Sequence, residues 1–197
     1  QFWQSNENLA HVDSATAEAI LEEMAKFAQN VTLPLNRTGD EEGATFSNGA
    51  VTTPAGFKEA FKQYAEGGWI GLAADEEWGG QGMPKMLTVL ADEMLFATNP
   101  SFMLYPLLSV GAGMALNSYA SQEQKETYLP KIYSGEWSGT MCLTEPHAGT
   151  DLGIIKTKAE RNEDGTYNIT GTKIFITGGD HDLAENIIHL VLAKTPD

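Results

Sequence analysis

Apolar residues recur along the first two thirds of the chain at the spacing of helices that bury one face. After Ala17 they fall at Ile20, Leu21, Met24, Phe27, Ala28 and Val31, with Asp13 or Ser14 placed as a cap and Pro34 just past the expected end. The polar, glycine-containing stretch 36–52 reads as a loop. Thr53-Pro54 predicts an N-cap with proline at the first helical position, Phe57, Ala60, Phe61, Tyr64 and Ala65 inward, and Gly67-Gly68 as the stop. Trp78-Gly79-Gly80-Gln81-Gly82 fits neither helix nor strand. Pro84 opens a further helix with Leu87, Leu90, Ala91, Met94 and Leu95 inward, closed by Asn99-Pro100. The most apolar stretch, 102–116, is too short to span a bilayer and contains Pro106, Gly111 and Gly113, so it reads as a helix of a globular core. Ser121 with Gln124 forms a capping box for a last helix, which Pro130 and Ser134-Gly135 bring to an end.

Near Trp137 the pattern changes. Residues 141–143, 154–161, 167–176 and 187–193 are short β-rich segments, and Asn162-Glu163-Asp164-Gly165 is a hairpin turn between two of them. The fold class is therefore α+β: an all-helical N-terminal domain over 1–136, then the first strands of a β domain over 137–197. So few strands leave open edges, so either the sequence is a fragment or another chain completes the sheet, and a fragment is the favoured expectation.

Composition narrows the chemistry. The chain has 12 Lys plus Arg against 27 Asp plus Glu, a net charge of −15, and no basic cluster, which argues against nucleic-acid or anionic-membrane binding. Hydrophobic residues make up 42% of the sequence, enough for a packed core. No Met and no signal peptide open the chain at Gln1-Phe2-Trp3, and Cys142 is the one cysteine, so no disulfide framework exists and a cytoplasmic location is expected. Cys142 lies in the apolar run Met141-Cys142-Leu143 and reads as a packed strand residue. His11, His147, His181 and His189 are scattered without metal-ligand spacing, and Asp180-His181-Asp182 lacks a further nearby ligand, so no metal site is expected.

The informative segment runs Met141-Cys142-Leu143-Thr144-Glu145-Pro146-His147-Ala148-Gly149-Thr150-Asp151-Leu152-Gly153. A strand delivers Thr144 to a loop that Pro146 stiffens; Gly149 allows close approach of a bulky group, and Thr150 with neighbouring N–H groups is free to bind an anion. A phosphate-bearing ligand and a tight structural loop both fit this pattern. It is not a GxGxxG fingerprint, because no βαβ unit surrounds it. Glu145, between Thr144 and Pro146, reads as the group that holds the loop rather than as a base.

The same segment closely resembles the TEPxAGSD signature of acyl-CoA dehydrogenases. Ala73-Ala74-Asp75-Glu76-Glu77-Trp78-Gly79-Gly80-Gln81-Gly82 is similar to that family's PEEYGGxG loop, and Leu129-Pro130-Lys131-Ile132-Tyr133-Ser134-Gly135-Glu136 to its LPxLxxGE helix end. Gly171-Thr172-Lys173-Ile174-Phe175-Ile176-Thr177-Gly178-Gly179 resembles NGxKxWITNG. Four motifs in the family's order cover nearly the whole chain. His147 replaces the signature's Gly, Thr150 its Ser, and Phe175 the usual Trp. Thr150 keeps the hydroxyl and Phe175 the ring face, while His147 reads as an exposed loop residue. The Pro146-His147-Ala148-Gly149-Thr150-Asp151-Leu152-Gly153 wording and the Gly-Gly-Asp-His-Asp run look most like bacterial 3-methylmercaptopropionyl-CoA dehydrogenase-like members.

The resemblance implies a helical domain, a middle β-barrel domain begun here, and a C-terminal helical domain absent from these residues. It implies FAD, lined by Met141, Cys142, Leu143, Thr144, Glu145, Gly149 and Thr150, with the Thr144 hydroxyl at the pyrimidine end and Gly149 and Thr150 at the phosphates. Thr150 would also approach the acyl-CoA substrate's thioester arm. Phe175, Ile176 and Thr177 would cover the other side, with Thr177 near N5. The implied reaction is α,β-dehydrogenation of an acyl-CoA, with electrons passed to an electron-transfer flavoprotein. The implied base is a C-terminal glutamate, so no catalytic residue is expected in this chain, nor activity from it alone. A homodimer or higher oligomer is implied for the full-length protein. An acyl-CoA oxidase and a non-catalytic interaction module are the alternatives.

Overall fold

The computed structural model describes Ser5 and residues 9–196. Helix α1 spans Ser14–Phe27, and Asp13 caps it by accepting a hydrogen bond from the Thr16 N–H at 2.8 Å. The expected stop before Pro34 does not occur. A π turn, Ala28–Thr32, leads directly into α2, Leu33–Glu42. Pro34 lies in the first turn of α2, directly after the π turn. The 36–52 loop expectation is likewise corrected. Helix runs to Glu42, and strands β1, Thr45–Ser47, and β2, Ala50–Thr52, form a hairpin. Asn48 and Gly49 both have positive φ, 52° and 82°, the requirement of a two-residue type I′ turn. The helical domain thus carries a small β hairpin.

Thr53 is not the cap of the next helix. Helix α3, Phe57–Glu66, starts one turn later, after Gly56 at φ 85°. The Thr53 N–H and hydroxyl instead donate to Asp182 Oδ1, at 3.0 and 2.7 Å. Phe57, Ala60, Phe61 and Tyr64 form the buried stripe of α3, as the spacing predicts. Helix α4, Lys85–Thr98, buries Leu87, Ala91 and Leu95, whereas Leu90 faces outward. Asn99 ends α4 and caps α5, Pro100–Tyr119, accepting from the Phe102 N–H at 3.0 Å while its amide donates to Thr32 O at 3.2 Å. This fully buried residue ties the π turn to the junction of two helices. The Ser121–Gln124 capping box is present on α6, Gln122–Tyr133.

The main core lies among α1, α3, α4 and α5, where Met24, Phe61, Tyr64, Leu95, Phe102 and Met103 pack together. Burial of Phe61 and Phe102, each about 1% exposed or less, contributes roughly 1.5–3 kcal/mol apiece. Trp78, Leu129, Ile132 and Tyr133 form a second cluster under the glycine loop.

Strand β3, Trp137–Cys142, lies across α5. Its Gly139 N–H donates to Ser109 Oγ at 3.1 Å, and a Cβ on Gly139 would stand 2.4 Å from Ala112 Cβ. Strands β4, Lys158–Arg161, and β5, Tyr167–Thr170, form the expected hairpin around Gly165, at φ 86°. The strand expected over 154–161 starts only at Lys158, because Leu152–Ile154 is a 3-10 turn; that over 167–176 stops at Thr170. Strand β6, Asn186–Val191, pairs in parallel with β3, from Trp137↔Asn186 to Cys142↔Val191. The described strands form three two-stranded sheets, so open edges remain.

Candidate flavin and phosphate site

The β3–β6 ladder ends at Cys142, whose carbonyl accepts from the Leu192 N–H at 3.1 Å. Two residues further, the chain is held from one side only. Lys173 Nζ donates to Leu143 O at 2.9 Å, and the Ile174 N–H donates to Thr144 O at 3.0 Å. A tight turn follows, with Glu145 and Ala148 exchanging backbone hydrogen bonds of 2.9 and 3.0 Å around Pro146 and His147. Pro146 suits that tip because its missing N–H would face outward.

Glu145 closes the loop. Its buried carboxylate accepts from the Lys156 N–H at 2.7 Å, the Thr157 N–H at 2.9 Å, the Thr157 hydroxyl, and Lys173 Nζ at 2.9 Å. Burial works against its charge, but the bonds from Thr157, Lys156 and Lys173 outweigh that and hold the carboxyl well below the usual range. A group so fully engaged does not serve as a base, and the loop-holding reading of Glu145 agrees with this geometry. His147 is partly exposed and donates from Nε2 to Ile154 O at 3.1 Å, which braces the loop from outside.

The opposite side of the loop is open. Among the described residues, the Thr144 N–H and hydroxyl have no protein partner, nor do the N–H groups of Gly149 and Thr150 or the Thr150 hydroxyl. A Cβ on Gly149 would meet nothing within 4 Å. Met141 is partly exposed, whereas Cys142 is buried, with Sγ 3.8 Å from His189 Nδ1 and 3.5 Å from Thr140 Oγ1. That packing matches the strand-residue reading of Cys142.

Phe175 follows directly on the Ile174–Thr144 bond. Its φ is 56°, a region that bulky residues avoid, and its ring is 88% exposed. An exposed aromatic in a strained backbone is an outlier that packing among the described residues does not explain. Ile176 is half-buried and Thr177 is exposed, at the start of a turn in which Gly178 has φ 62°. Thr177 and Gly178 border a cavity of about 330 Å³ that Phe57, Leu104 and Tyr105 also line. A second cavity of about 330 Å³ lies between α4 and α5, against Trp69, Asp92, Met103, Leu107 and Met114. The structure therefore brings Thr144 and Phe175 together through the Lys173–Ile174 segment. Gly149 and Thr150 stand beyond the Glu145 turn.

The Asp180-His181-Asp182 run has a role that spacing did not disclose. Asp180 accepts from the Val51 N–H at 3.1 Å, and Asp182 accepts from Thr53. His181 is buried: Nδ1 accepts from the Leu183 N–H at 3.1 Å, Nε2 lies 3.0 Å from Ser138 Oγ, and its ring packs edge-on to Tyr105. The three side chains form a strap from the β1–β2 hairpin to β3 and α5. Burial pushes the His181 pKa down, and the carboxylates of Asp180 and Asp182 partly offset this. No cluster of three or more metal-ligating groups occurs among the described residues. No described helix is long and apolar enough to cross a membrane.

Comparison with known proteins agrees with the motif reading. Residues 14–136 match the family model for the acyl-CoA dehydrogenase N-terminal domain, and residues 140–197 match that for the middle domain. The chain is 48% identical over 188 residues to 3-methylmercaptopropionyl-CoA dehydrogenase of Ruegeria pomeroyi, covering 95% of this chain and 32% of that protein. The subgroup resemblance is thereby supported. The chain thus spans about a third of the length of the curated relatives it matches. Among solved structures, it superposes with a TM-score of 0.77 and 27% identity on an acyl-CoA dehydrogenase complexed with FAD from Bacillus anthracis, covering 93% of this chain and 29% of that one. A chain of the electron transferring flavoprotein structure from Acidaminococcus fermentans gives a TM-score of 0.72 at 26% identity, covering 86% and 42%.

Proposed function

The chain belongs to the acyl-CoA dehydrogenase family, and from that premise we propose that its full-length protein removes the α and β hydrogens of an acyl-CoA thioester with FAD as cofactor. The observation that carries this reading is the pairing of two unsatisfied features: free donors on Thr144, and the strained, exposed ring of Phe175 one residue past the segment bonded to Thr144. A planar ligand with acceptors along one edge satisfies both. Open space beside Gly149 and the free N–H groups of Gly149 and Thr150 suit a pyrophosphate. The residues present therefore fit FAD.

Bound FAD supplies the hydride acceptor. Thr144 would donate to the pyrimidine end through its N–H and hydroxyl, Met141, Cys142 and Leu143 would lead the chain to that edge, and Glu145 would hold the loop. Phe175 would cover one ring face, and Ile176 and Thr177 would continue that wall, with the Thr177 hydroxyl orienting the N5 side. The cavity bordered by Thr177, Gly178, Leu104 and Tyr105 would receive the reacting end of the acyl chain, because hydride transfer requires close approach. Thr150 would contact the thioester arm as well as the phosphates.

The proton-abstracting carboxylate lies outside these 197 residues, so this chain alone does not turn over. The helical part ends at residue 136 and the β part begins at 137. Full-length protein works as a homodimer or higher oligomer and passes its electrons to an electron-transfer flavoprotein. Free, buried Cys142 suits a reducing cytoplasm.

Anaerobic mixing of FAD-loaded, full-length protein with a panel of acyl-CoAs tests this reading. Bleaching of the visible flavin band by one class of chain length supports it and identifies the substrate. Rapid reoxidation by oxygen afterwards would reassign the protein as an acyl-CoA oxidase. Failure to take up FAD would refute the reading.

A further inference from the structure

Lys173 is the least expected charge in the site. Its side chain is only 10% exposed and its partner Glu145 is 2% exposed, so this ion pair is buried in a chain with few cations. The pair is reached by close packing. A Cβ on Gly171 would stand 2.2 Å from Thr157 Oγ1, so only glycine lets residues 171–173 lie flat on the Thr157–Glu145 layer. Lys173 then spends one donor on Glu145 and another on Leu143 O, both at 2.9 Å.

The second bond fixes a direction. A trans peptide places its C=O and N–H on opposite sides. With Leu143 O drawn to Lys173, the Thr144 N–H of the same peptide must face the open side. The next carbonyl, Thr144 O, accepts from the Ile174 N–H at 3.0 Å, which holds the same stretch against residues 173–174. We infer that Lys173, clamped by Glu145, is a positioning residue that aims the Thr144 N–H and hydroxyl at the flavin pyrimidine edge and sets the distance from there to Phe175. Glu145 supplies the fixed anchor, and Lys173 transmits it to the peptide that faces the ligand. The inference rests on the flavin reading above. It adds that the Glu145 carboxylate and Lys173 Nζ, both bonded within the loop, tune the electronic properties of the cofactor, because donors at that edge stabilise negative charge on the reduced ring.

The test uses full-length protein, stripped of FAD and retitrated, as wild type, Lys173→Met, Lys173→Arg and Gly171→Ala. Lys173→Met is expected to raise the FAD Kd about tenfold, to shift the visible spectrum of the bound flavin and to lower its reduction potential. Lys173→Arg, which keeps the cation, restores part of each property. Gly171→Ala lifts the segment and moves all three in the same direction as Lys173→Met. In the flavin-free protein, Lys173→Met also speeds amide exchange at Glu145, Ala148 and Ile174. A purely structural role would lower thermal stability but leave the spectrum and potential of bound flavin at wild-type values, and that result overturns the inference. Should Lys173→Met not fold, the decision passes to Gly171→Ala, and an unchanged potential there overturns it equally. A wild type that takes up no FAD refutes the flavin reading itself, a failure visible before any substitution is compared.

Discussion

Replacing Phe175 by glycine is expected to make the protein more stable and worse at holding its cofactor. At φ 56° a residue with a Cβ carries about 1–2 kcal/mol of backbone strain. Glycine relieves that strain but gains unfolded-state freedom worth about 0.5–1 kcal/mol. With the ring 88% exposed, little packing is lost. The net gain is about 0.5–1 kcal/mol, or roughly 1–4 °C in Tm for a domain of this size. If the ring stacks on the flavin, its removal costs about 1–2 kcal/mol of binding, roughly a tenfold rise in Kd. Phe175→Ala separates the two effects, because alanine keeps the strain and lacks the ring. It should lose FAD affinity without gaining stability. Thermal unfolding of the flavin-free protein and fluorescence titration with FAD measure the two quantities. A glycine variant less stable than wild type, or one with unchanged FAD affinity, would refute the assignment of Phe175 as a strained ligand-facing ring.

The lowered pKa of His181 means that the unfolded chain takes up a proton before the folded one does. Stability conferred by the strap is therefore complete above the ordinary histidine pKa and declines as pH falls below about 6.5. The Tm of wild type should drop more steeply from pH 7 to 5 than that of His181→Gln, and parallel profiles would contradict this. Gly139→Ala brings a methyl group within 2.4 Å of Ala112 Cβ, so overpacking should cost about 1–3 kcal/mol. Adding Ala112→Gly should recover part of that loss in a double-mutant cycle on Tm, and strict additivity would show that the two sites do not touch. Asp182→Ala removes the acceptor for the Thr53 N–H and hydroxyl. A loss of about 1 kcal/mol is expected, with faster amide exchange at Thr53 as its local signature.

The legible part of this molecule is the part encoded by local rules. Capping at Asp13, the Ser121–Gln124 box and the buried stripe of α3 each depend on residues within one turn, and each stands in the structure as the spacing predicts. The Pro34 boundary was misplaced because a proline that ends one helix and one that begins the next look alike in sequence. What distinguishes them is the π turn, held by Thr32 and by the distant Asn99. The β1–β2 hairpin did carry a signal, Asn48-Gly49, but its short, exposed strands lack apolar alternation. Thr53 looked like a cap because its true partner, Asp182, is 129 residues away. Leu90 was placed inward by helical spacing alone, and spacing does not report how wide the buried face is.

The site divides in the same way. The anchoring role of Glu145 is readable from its place between Thr144 and Pro146 in the signature segment. The donors that satisfy Glu145 come from Lys156, Thr157 and Lys173, which no local pattern joins to it. Nor could spacing place the strain at Phe175, because propensity disfavours a positive φ on an aromatic residue. The Asp180-His181-Asp182 run shows the converse. A group with the side chains of a metal site serves instead as a three-point strap, because each side chain faces a different neighbour.

A crystal structure of the full-length protein with FAD tests the central claim most directly. The account predicts the Thr144 N–H and hydroxyl within hydrogen-bond distance of the pyrimidine edge, the Phe175 ring stacked on the flavin, and the pyrophosphate against the N–H groups of Gly149 and Thr150. A flavin bound elsewhere, with Thr144 and Phe175 still facing solvent, would contradict it.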